Sequence, residues 1–170
     1  MNELQCRALY REAFSDPDNT FENKLFAHCF CYCRTREIQG ETLSMLFALP
    51  CTVSGKSQMY EAYYVYAVAT KREHRRKGHA AALLADLKRE GRPLFLIPAD
   101  EPLRRYYQKL GFVDCPPAAD PSTGFTATPT DGFARLVQSE PLESAPPRSI
   151  LFYGGQTPLP APLYFPYGME

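Results

Sequence analysis

The chain has 170 residues, 45% of them hydrophobic and 22% charged, which is enough for one ordinary domain with its own core. Its 19 Lys/Arg balance 19 Asp/Glu, so the net charge is zero and nothing global attracts nucleic acid or a membrane surface; any anion site must be local. The N-terminus, MNELQCRALYREAF, does not read as a signal peptide, and no apolar run approaches the ~18–20 residues of a membrane span, so a cytoplasmic protein without membrane association is expected. Six cysteines without a secretion signal do not suggest a disulfide framework.

Gln5 to Phe14 reads as an amphipathic helix with Leu4, Ala8, Ala13 and Phe14 near one side. Asp16-Pro-Asp-Asn-Thr is a turn, and Thr20 is a candidate cap for a second helix running to about His28. A strand is expected over Cys31–Glu37, in which Cys29, Cys31 and Cys33 would place three thiols on one buried face; His28 alone does not make them a metal site. Gln39-Gly40 is a hairpin turn. From Thr42, Leu43, Met45, Phe47 and Leu49 alternate with Ser44 and Ala48, and Ser54-Gly-Lys-Ser marks another turn. Tyr60–Thr70, rich in Tyr, Val and Ala, has the makeup of a central strand.

Next comes KREHRRK, Lys71–Lys77, which holds five of the 19 cations. It stands where a helix begins, because Ala80, Leu83, Leu84 and Leu87 follow at i, i+3, i+4 and i+7, with Gly91 as the stop. Cations near a positive helix end cost about 0.3–1 kcal/mol each when exposed. A bound anion, held by the free N–H groups of that end, would offset this cost. A solvated turn and a nucleic-acid patch at 71–77 are the alternatives. Pro93–Pro98 reads as a short buried strand. Asp100-Glu-Pro opens a helix with Leu103, Tyr106, Tyr107 and Leu110 on its apolar stripe, ended by Gly111.

Strand, helix, strand, helix in this order is a βαβ unit with parallel pairing, and the hairpins before it make the fold class α/β (α+β): a mixed, largely antiparallel sheet with flanking helices. Cys115–Gly124 reads as a loop, and Phe133–Gln138 and Ser149–Tyr153 as short strands. Residues 141–170 hold seven of the 16 prolines along with Phe152, Tyr153, Tyr164, Phe165 and Tyr167, so they are expected to form an extended tail whose aromatics pack on the surface of a 1–140 domain.

Three strings together resemble the GNAT superfamily of acyl-CoA-dependent acyltransferases: Tyr64-Val-Tyr-Ala-Val-Ala-Thr70, Arg75-Arg-Lys-Gly-His-Ala80 and Tyr106-Tyr-Gln-Lys-Leu-Gly-Phe112. The middle one matches the signature [Gln/Arg]-x-x-Gly-x-[Gly/Ala] with Arg75, Gly78 and Ala80. The likeness covers Leu43–Phe112 well and the region after Phe112 hardly at all.

The resemblance implies acetyl-CoA as co-substrate, with no metal, and transfer of its acetyl group to a primary amine, of a small molecule or a peptide, in a ternary complex. Arg76, Lys77, Gly78, His79, Ala80 and Ala81 would cradle the pyrophosphate, and Lys71, Arg72, Arg75 and Lys77 would be free to meet the 3′-phosphate. The main chain of Val68 and Thr70, with Ala69 between them, would pair with the pantetheine arm. Asp100 stands where the family usually has an Asn, so it is either a pantetheine contact or only a helix cap. Tyr107 takes the general-acid position, protonating the departing thiolate; alternatively it is a core aromatic. Some branches carry a basic Glu on the central strand. Here that position is Ala62, and Glu61 would serve only if a β-bulge turned it inward; otherwise a water relay takes the proton. An acyl-cysteine route through Cys51 or Cys115 has no ordered His beside it. A CoA-binding relative without turnover is the remaining alternative.

Overall fold

A computed structural model describes residues 1–140 and 146–168. The chain opens with α1 (Glu3–Ala13), capped by Asn2, whose Oδ1 accepts the Gln5 N–H at 3.2 Å. Its buried side is Cys6, Leu9 and Tyr10, with Ala13 beside them, an i, i+3, i+4, i+7 stripe, and Leu4 is 78% exposed. The predicted face is thus rotated: Cys6 and Tyr10 act as apolar residues and outweigh Leu4 and Ala8.

α2 (Thr20–Cys29) has Asn19 as its N-cap rather than Thr20. Its first N–H groups are taken by acids that precede it, Thr20 N–H by Asp18 Oδ1 at 3.1 Å and Glu22 N–H by Asp16 Oδ2 at 2.8 Å. Because α2 runs to Cys29 and one 3₁₀ turn (Phe30–Tyr32) follows, β1 starts only at Cys33 and covers Cys33–Ile38. The three thiols therefore do not share a strand face: Cys29 and Cys33 are buried on different elements, and Cys31 is exposed.

β1 turns at Gln39-Gly40, both at positive φ, into β2 (Glu41–Gly55), and Lys56-Ser57 turns β2 into β3 (Gln58–Thr70). Then follow α3 (His79–Arg89), β4 (Leu94–Leu96), α4 (Glu101–Lys109), β5 (Val113–Cys115), β6 (Phe125–Pro129), α5 (Asp131–Ser139), β7 (Ile150–Tyr153) and β8 (Leu163–Tyr164). The sheet order is β5-β7-β4-β3-β2-β6-β8, with β1 also paired to β2. β3 and β4 pair in parallel across α3, and β6 and β8 are parallel; the other pairs are antiparallel. This is the mixed, largely antiparallel sheet with a parallel βαβ unit that the element order predicts.

The sheet carries a core on each face. Leu83, Leu84 and Leu87 of α3 and Tyr107 of α4 cover Leu46, Ala48, Val65 and Leu96. On the other face α1, α2, α5 and the C-terminal segment enclose Phe47, Tyr64 and Phe95.

Phe133–Gln138 is helix rather than strand, because Phe133 and Leu136 are buried at helical spacing and α5 packs on α2. Gly132 permits that packing: a Cβ there would lie 2.2 Å from the His28 carbonyl oxygen. Cys115 belongs to β5, and β6 and β8 were not foreseen, since their partners are the far end of β2 and each other.

The tail departs furthest from expectation. Its residues 141–145 and 169–170 lie outside the described residues. Within the rest, β7 is inserted between β4 and β5, and Phe165 is 0% exposed, its ring centroid 4.7 Å from that of Tyr64 and 5.0 Å from that of Phe95. These aromatics complete the core instead of decorating the surface.

Phe165→Ala should accordingly cost about 3–5 kcal/mol, read as a lower urea midpoint with the full chain. A second expectation concerns the buried thiols. Burial pushes Cys29 and Cys115 up to about 12, whereas a thiol of the unfolded chain titrates near about 8.5. Above that pH the unfolded chain loses protons that the folded chain keeps, so this contribution to stability is complete below about pH 8.5 and is lost as pH rises towards 12. The urea midpoint should fall between pH 8 and pH 10, and less steeply in a Cys29→Ala/Cys115→Ala variant.

Candidate active site

The site begins where β3 and β4 part. Their pairing covers Tyr63↔Leu94 and Tyr64↔Phe95, and β3 then continues to Thr70 without β4. Against β2, Met45 faces Ala69 but Phe47 faces Tyr66, so β3 carries one extra residue there. This is a β-bulge, and Ala67 sits in it at φ +52°, a conformation unusual for any residue with a Cβ.

The bulge changes which main-chain groups face the open side. Before it, Tyr63 N–H donates to the Pro93 carbonyl at 2.9 Å, towards β4. After it, the Ala69 carbonyl accepts from Ser44 Oγ at 2.8 Å and Lys71 N–H donates to the Leu43 carbonyl at 2.9 Å, both towards β2. Strand alternation then points the main-chain groups of Val68 and Thr70 into the gap. The Thr70 carbonyl is met there by Arg75 Nε at 3.1 Å.

The loop into α3 closes one end of this gap. Arg76 at φ +61° and Gly78 at φ +83° bend the chain sharply into the helix. Gly78 is the N-cap and offers no side chain; the first turn holds no acid, and the first helical bond is Ala82 N–H to Gly78 O at 3.0 Å. The N–H groups of His79, Ala80 and Ala81 are therefore left without helical partners. A Cβ on Gly78 would meet nothing within 4 Å, so the loop borders open space. That space is a cavity of about 490 Å³ lined by Val68, Thr70, Arg75, Arg76, Gly78 and the start of α3.

The cations divide. Lys71 pairs with Glu41, the Arg72 N–H is taken by Glu12 Oε1 at 2.7 Å, and Arg75 Nη2 is 4.0 Å from the same Glu12 oxygen. The Arg72 guanidinium, Arg76 and Lys77 have no ion pair among the described residues. Lys77 does not line the cavity. His79 Nδ1 accepts from Arg36 Nε at 3.2 Å, and desolvation, with Arg36 second, holds its imidazole below the ordinary value.

Tyr107 forms the far wall. It is 7% exposed, its ring edge-on to Tyr106 at 5.2 Å and to Phe112 at 5.9 Å, and burial pushes its phenol well above the ordinary value. A second cavity of about 300 Å³ lies beyond, sharing Val68, Leu103 and Tyr107 with the first and reaching Phe14, Tyr66 and Pro98. Tyr107 thus stands where two chambers meet.

Of the other residues named from sequence, Ala69 is buried with its main chain turned to β2. Asp100 is the cap of α4, its Oδ1 accepting the Leu103 N–H at 2.8 Å, and it lines neither cavity. Glu61 requires a correction. Its side chain is 68% exposed and pairs with Arg92 at 2.7 Å, away from both cavities. The bulge that could have turned it inward lies six residues further on, at Ala67, so strand alternation keeps Glu61 opposite in sense to Ala62. Phe14 and Ile97, which line the second chamber, carry no motif and only their apolar character was visible, while Tyr66 lies within the Tyr64–Thr70 string with no role assigned to it.

The family model described as Acetyltransferase (GNAT) domain matches residues 2–113, and the chain belongs to that family. Among solved structures, a GCN5-related N-acetyltransferase from Anabaena variabilis is similar with 21% identity and a TM-score of 0.57 over 68% of this chain and 30% of that one. This chain thus spans under a third of that protein's length. The N-acetyltransferase YlbP of Bacillus subtilis, solved in complex with coenzyme A, shares 7% identity and a TM-score of 0.55 over 88% of this chain and 89% of that one. Naa50 of Arabidopsis thaliana, in complex with the bisubstrate analogue CoA-Ac-MVNAL, shares 14% identity and a TM-score of 0.53, with 89% of each chain covered. At these identities the structures establish the fold. No match was found among curated proteins. No helix of the described residues is long and apolar enough to cross a membrane.

The strained bulge gives a direct test. A β-branched residue at φ +52° is far less tolerable than Ala, so Ala67→Val should destabilise by about 1–3 kcal/mol, while Ala67→Gly should keep or raise the melting temperature.

Proposed function

We propose that the protein moves an acetyl group from acetyl-CoA to a primary amine by direct transfer in a ternary complex. One observation carries this: an uncapped helix end, a glycine bordering open space and a freed strand edge all face a single cavity that stops at Tyr107. The coenzyme A in the Bacillus subtilis structure and the bisubstrate analogue in the Arabidopsis thaliana structure support the same reading for this fold.

The chemistry follows from the residues. The N–H groups from Arg76 to Ala81 receive the pyrophosphate, whose charge also offsets the cost of crowding cations at a positive helix end. Gly78 lines the cavity at φ +83°, a conformation that L side chains rarely adopt, and carries no side chain between the main chain and a phosphate. Arg75, Arg76 and Lys77 supply positive charge for the 3′-phosphate. The main-chain groups of Val68 and Thr70 pair with the amides of the pantetheine arm in the place β4 has vacated. That extended pairing leads the thioester towards Tyr107.

Tyr107 is the general acid. When the C–S bond breaks, its O–H protonates the thiolate, and burial keeps that phenol protonated throughout the physiological range. Asp100 contributes by capping α4, which holds Tyr107 in place.

Coenzyme A at 100 times its Kd should stabilise the protein by about 2.7 kcal/mol through mass action, and Gly78→Val should abolish the rise in melting temperature; no rise at millimolar ligand would contradict the proposal. Tyr107→Phe should lower kcat by about 10²–10⁴-fold with little change in acetyl-CoA binding. Because burial raises the phenol, deprotonation of Tyr107 should not depress turnover of the wild-type enzyme on the basic side before about pH 10; a loss centred near pH 8 would assign the acid to another group.

A further inference from the structure

We infer that the acceptor is a weakly basic primary amine on an apolar body, one that enters uncharged, rather than a lysine side chain or a polyamine. This rests on the acetyl-CoA reading above and concerns the second chamber, beyond Tyr107.

That chamber's lining side chains are aromatic or aliphatic, with Phe14, Ile97 and Pro98 among them, and its polar side-chain groups are the hydroxyls of Tyr64, Tyr66 and Tyr107. Among the described residues no carboxylate and no cation lines it. Of the acids on the α1–α2 side, Asp16 reaches Tyr66 only through its charge and does not line the chamber. Asp16 Oδ2 accepts the Glu22 N–H at 2.8 Å, and the fully buried Glu22 lies between Arg7 Nη1 at 3.1 Å and Arg11 Nε at 2.8 Å. Tyr66 shares its hydroxyl with that of Tyr10 at 3.2 Å, and burial pushes both phenols up, so neither is a base at neutral pH.

A protonated amine would enter this chamber without a counter-ion, which is strongly unfavourable. It would also find no carboxylate to deprotonate it. An alkyl amine titrating near 10.4 is neutral in only about one molecule in 2,500 at pH 7, whereas a peptide α-amine titrating near 7.7–8.0 is neutral in about one in ten. Aromatic amines are weaker bases still.

A neutral amine makes the reaction balance with the groups on hand. Its lone pair attacks the thioester carbonyl carbon, the C–N bond forms and the C–S bond breaks. The thiolate takes the proton of Tyr107, and the surplus proton on nitrogen returns to the Tyr107 oxygen through water. The net movement is one proton from nitrogen to sulfur, and no separate base is consumed.

The test is an acceptor panel at pH 7 with the full chain and acetyl-CoA, following thiol release and confirming products by mass. The probes are 4-methoxyaniline, leucyl-alanine amide, Nα-acetyl-lysine amide and spermidine. The better of the first two should exceed both of the others in kcat/KM by about 100-fold or more, as their neutral fractions require. Which of the two leads identifies the source as a small aromatic amine or a peptide N-terminus. Equal or better use of the lysine derivative or spermidine overturns the inference, as does acetyl-CoA binding with no acceptor acetylated. Donor binding is read separately from the melting temperature. Its absence sinks the acetyl-CoA reading itself, whereas binding combined with alkyl-amine preference sinks only the acceptor class. Phe14→Asp, which sets a carboxylate at the chamber wall, should narrow the preference at least about tenfold by stabilising the charged alkyl amine; an unchanged ratio counts against the inference. Where that variant does not fold, the wild-type panel decides alone.

Discussion

The parting of β3 from β4 is the constraint on which the rest of the site depends. β4 is three residues long and gives way to Ile97-Pro98, so it cannot follow β3 beyond Phe95. The last part of β3 is thereby left with one edge unpaired by β4, although buried backbone groups in folded proteins are nearly always paired. The bulge at Ala67 then decides which residues present that edge, turning Val68 and Thr70 outward and Ala69 inward. Arg75 already answers one of these groups, the Thr70 carbonyl. A linear ligand with amide groups of its own is the natural complement to such an edge.

The electrostatics of the site are local in the same way. The chain is neutral as a whole, yet five cations stand within seven residues at the positive end of α3. Glu41 and Glu12 draw the Lys71 and Arg75 side chains and the Arg72 main chain into the protein's own contacts, which leaves Arg72, Arg76 and Lys77 as the charges without an ion pair among the described residues. Part of the cluster is therefore scaffold for the loop, and part is surplus positive charge at a helix end whose first N–H groups have no helical partner. Beyond Tyr107 the character reverses. The second chamber has hydroxyls and apolar walls but no charged lining, so the two halves of the cleft suit chemically opposite partners.

The wall of that second chamber is supported from behind by the end of the chain. Phe165 and Phe133 pack on Tyr64, and Tyr64 lies on the same strand as the bulge. β7 pairs with β4 on the edge opposite β3, along its whole length from Leu94 to Leu96. The C-terminal segment thus shapes the site without contributing a functional group to the donor chamber.

Much of the half of the cleft beside α3, the proposed donor site, was legible from sequence because its information is local. The Arg75–Ala80 spacing, the helical stripe of Leu83, Leu84 and Leu87, and the position of Tyr107 on its own helix each depend on a few neighbouring residues. The mixed sheet with its βαβ unit followed from element order for the same reason. The rest was decided by packing between distant segments. An Ala at positive φ has no sequence signature, and neither does the pairing of β6 with the end of a long β2. FARLVQ can be helix or strand until α2 offers a surface that Gly132 fits. Glu61 could be placed only once the bulge was located. Likewise the aromatic tail reads as surface dressing until Phe165 is found packed against both Tyr64 and Phe95. Sequence alone determined the class of fold and the local form of the 75–81 loop at the start of α3, since backbone geometry and helix ends act over a few residues. Tertiary structure decided the bulge, the second chamber and the place of the tail, since those depend on contacts between residues far apart in the chain.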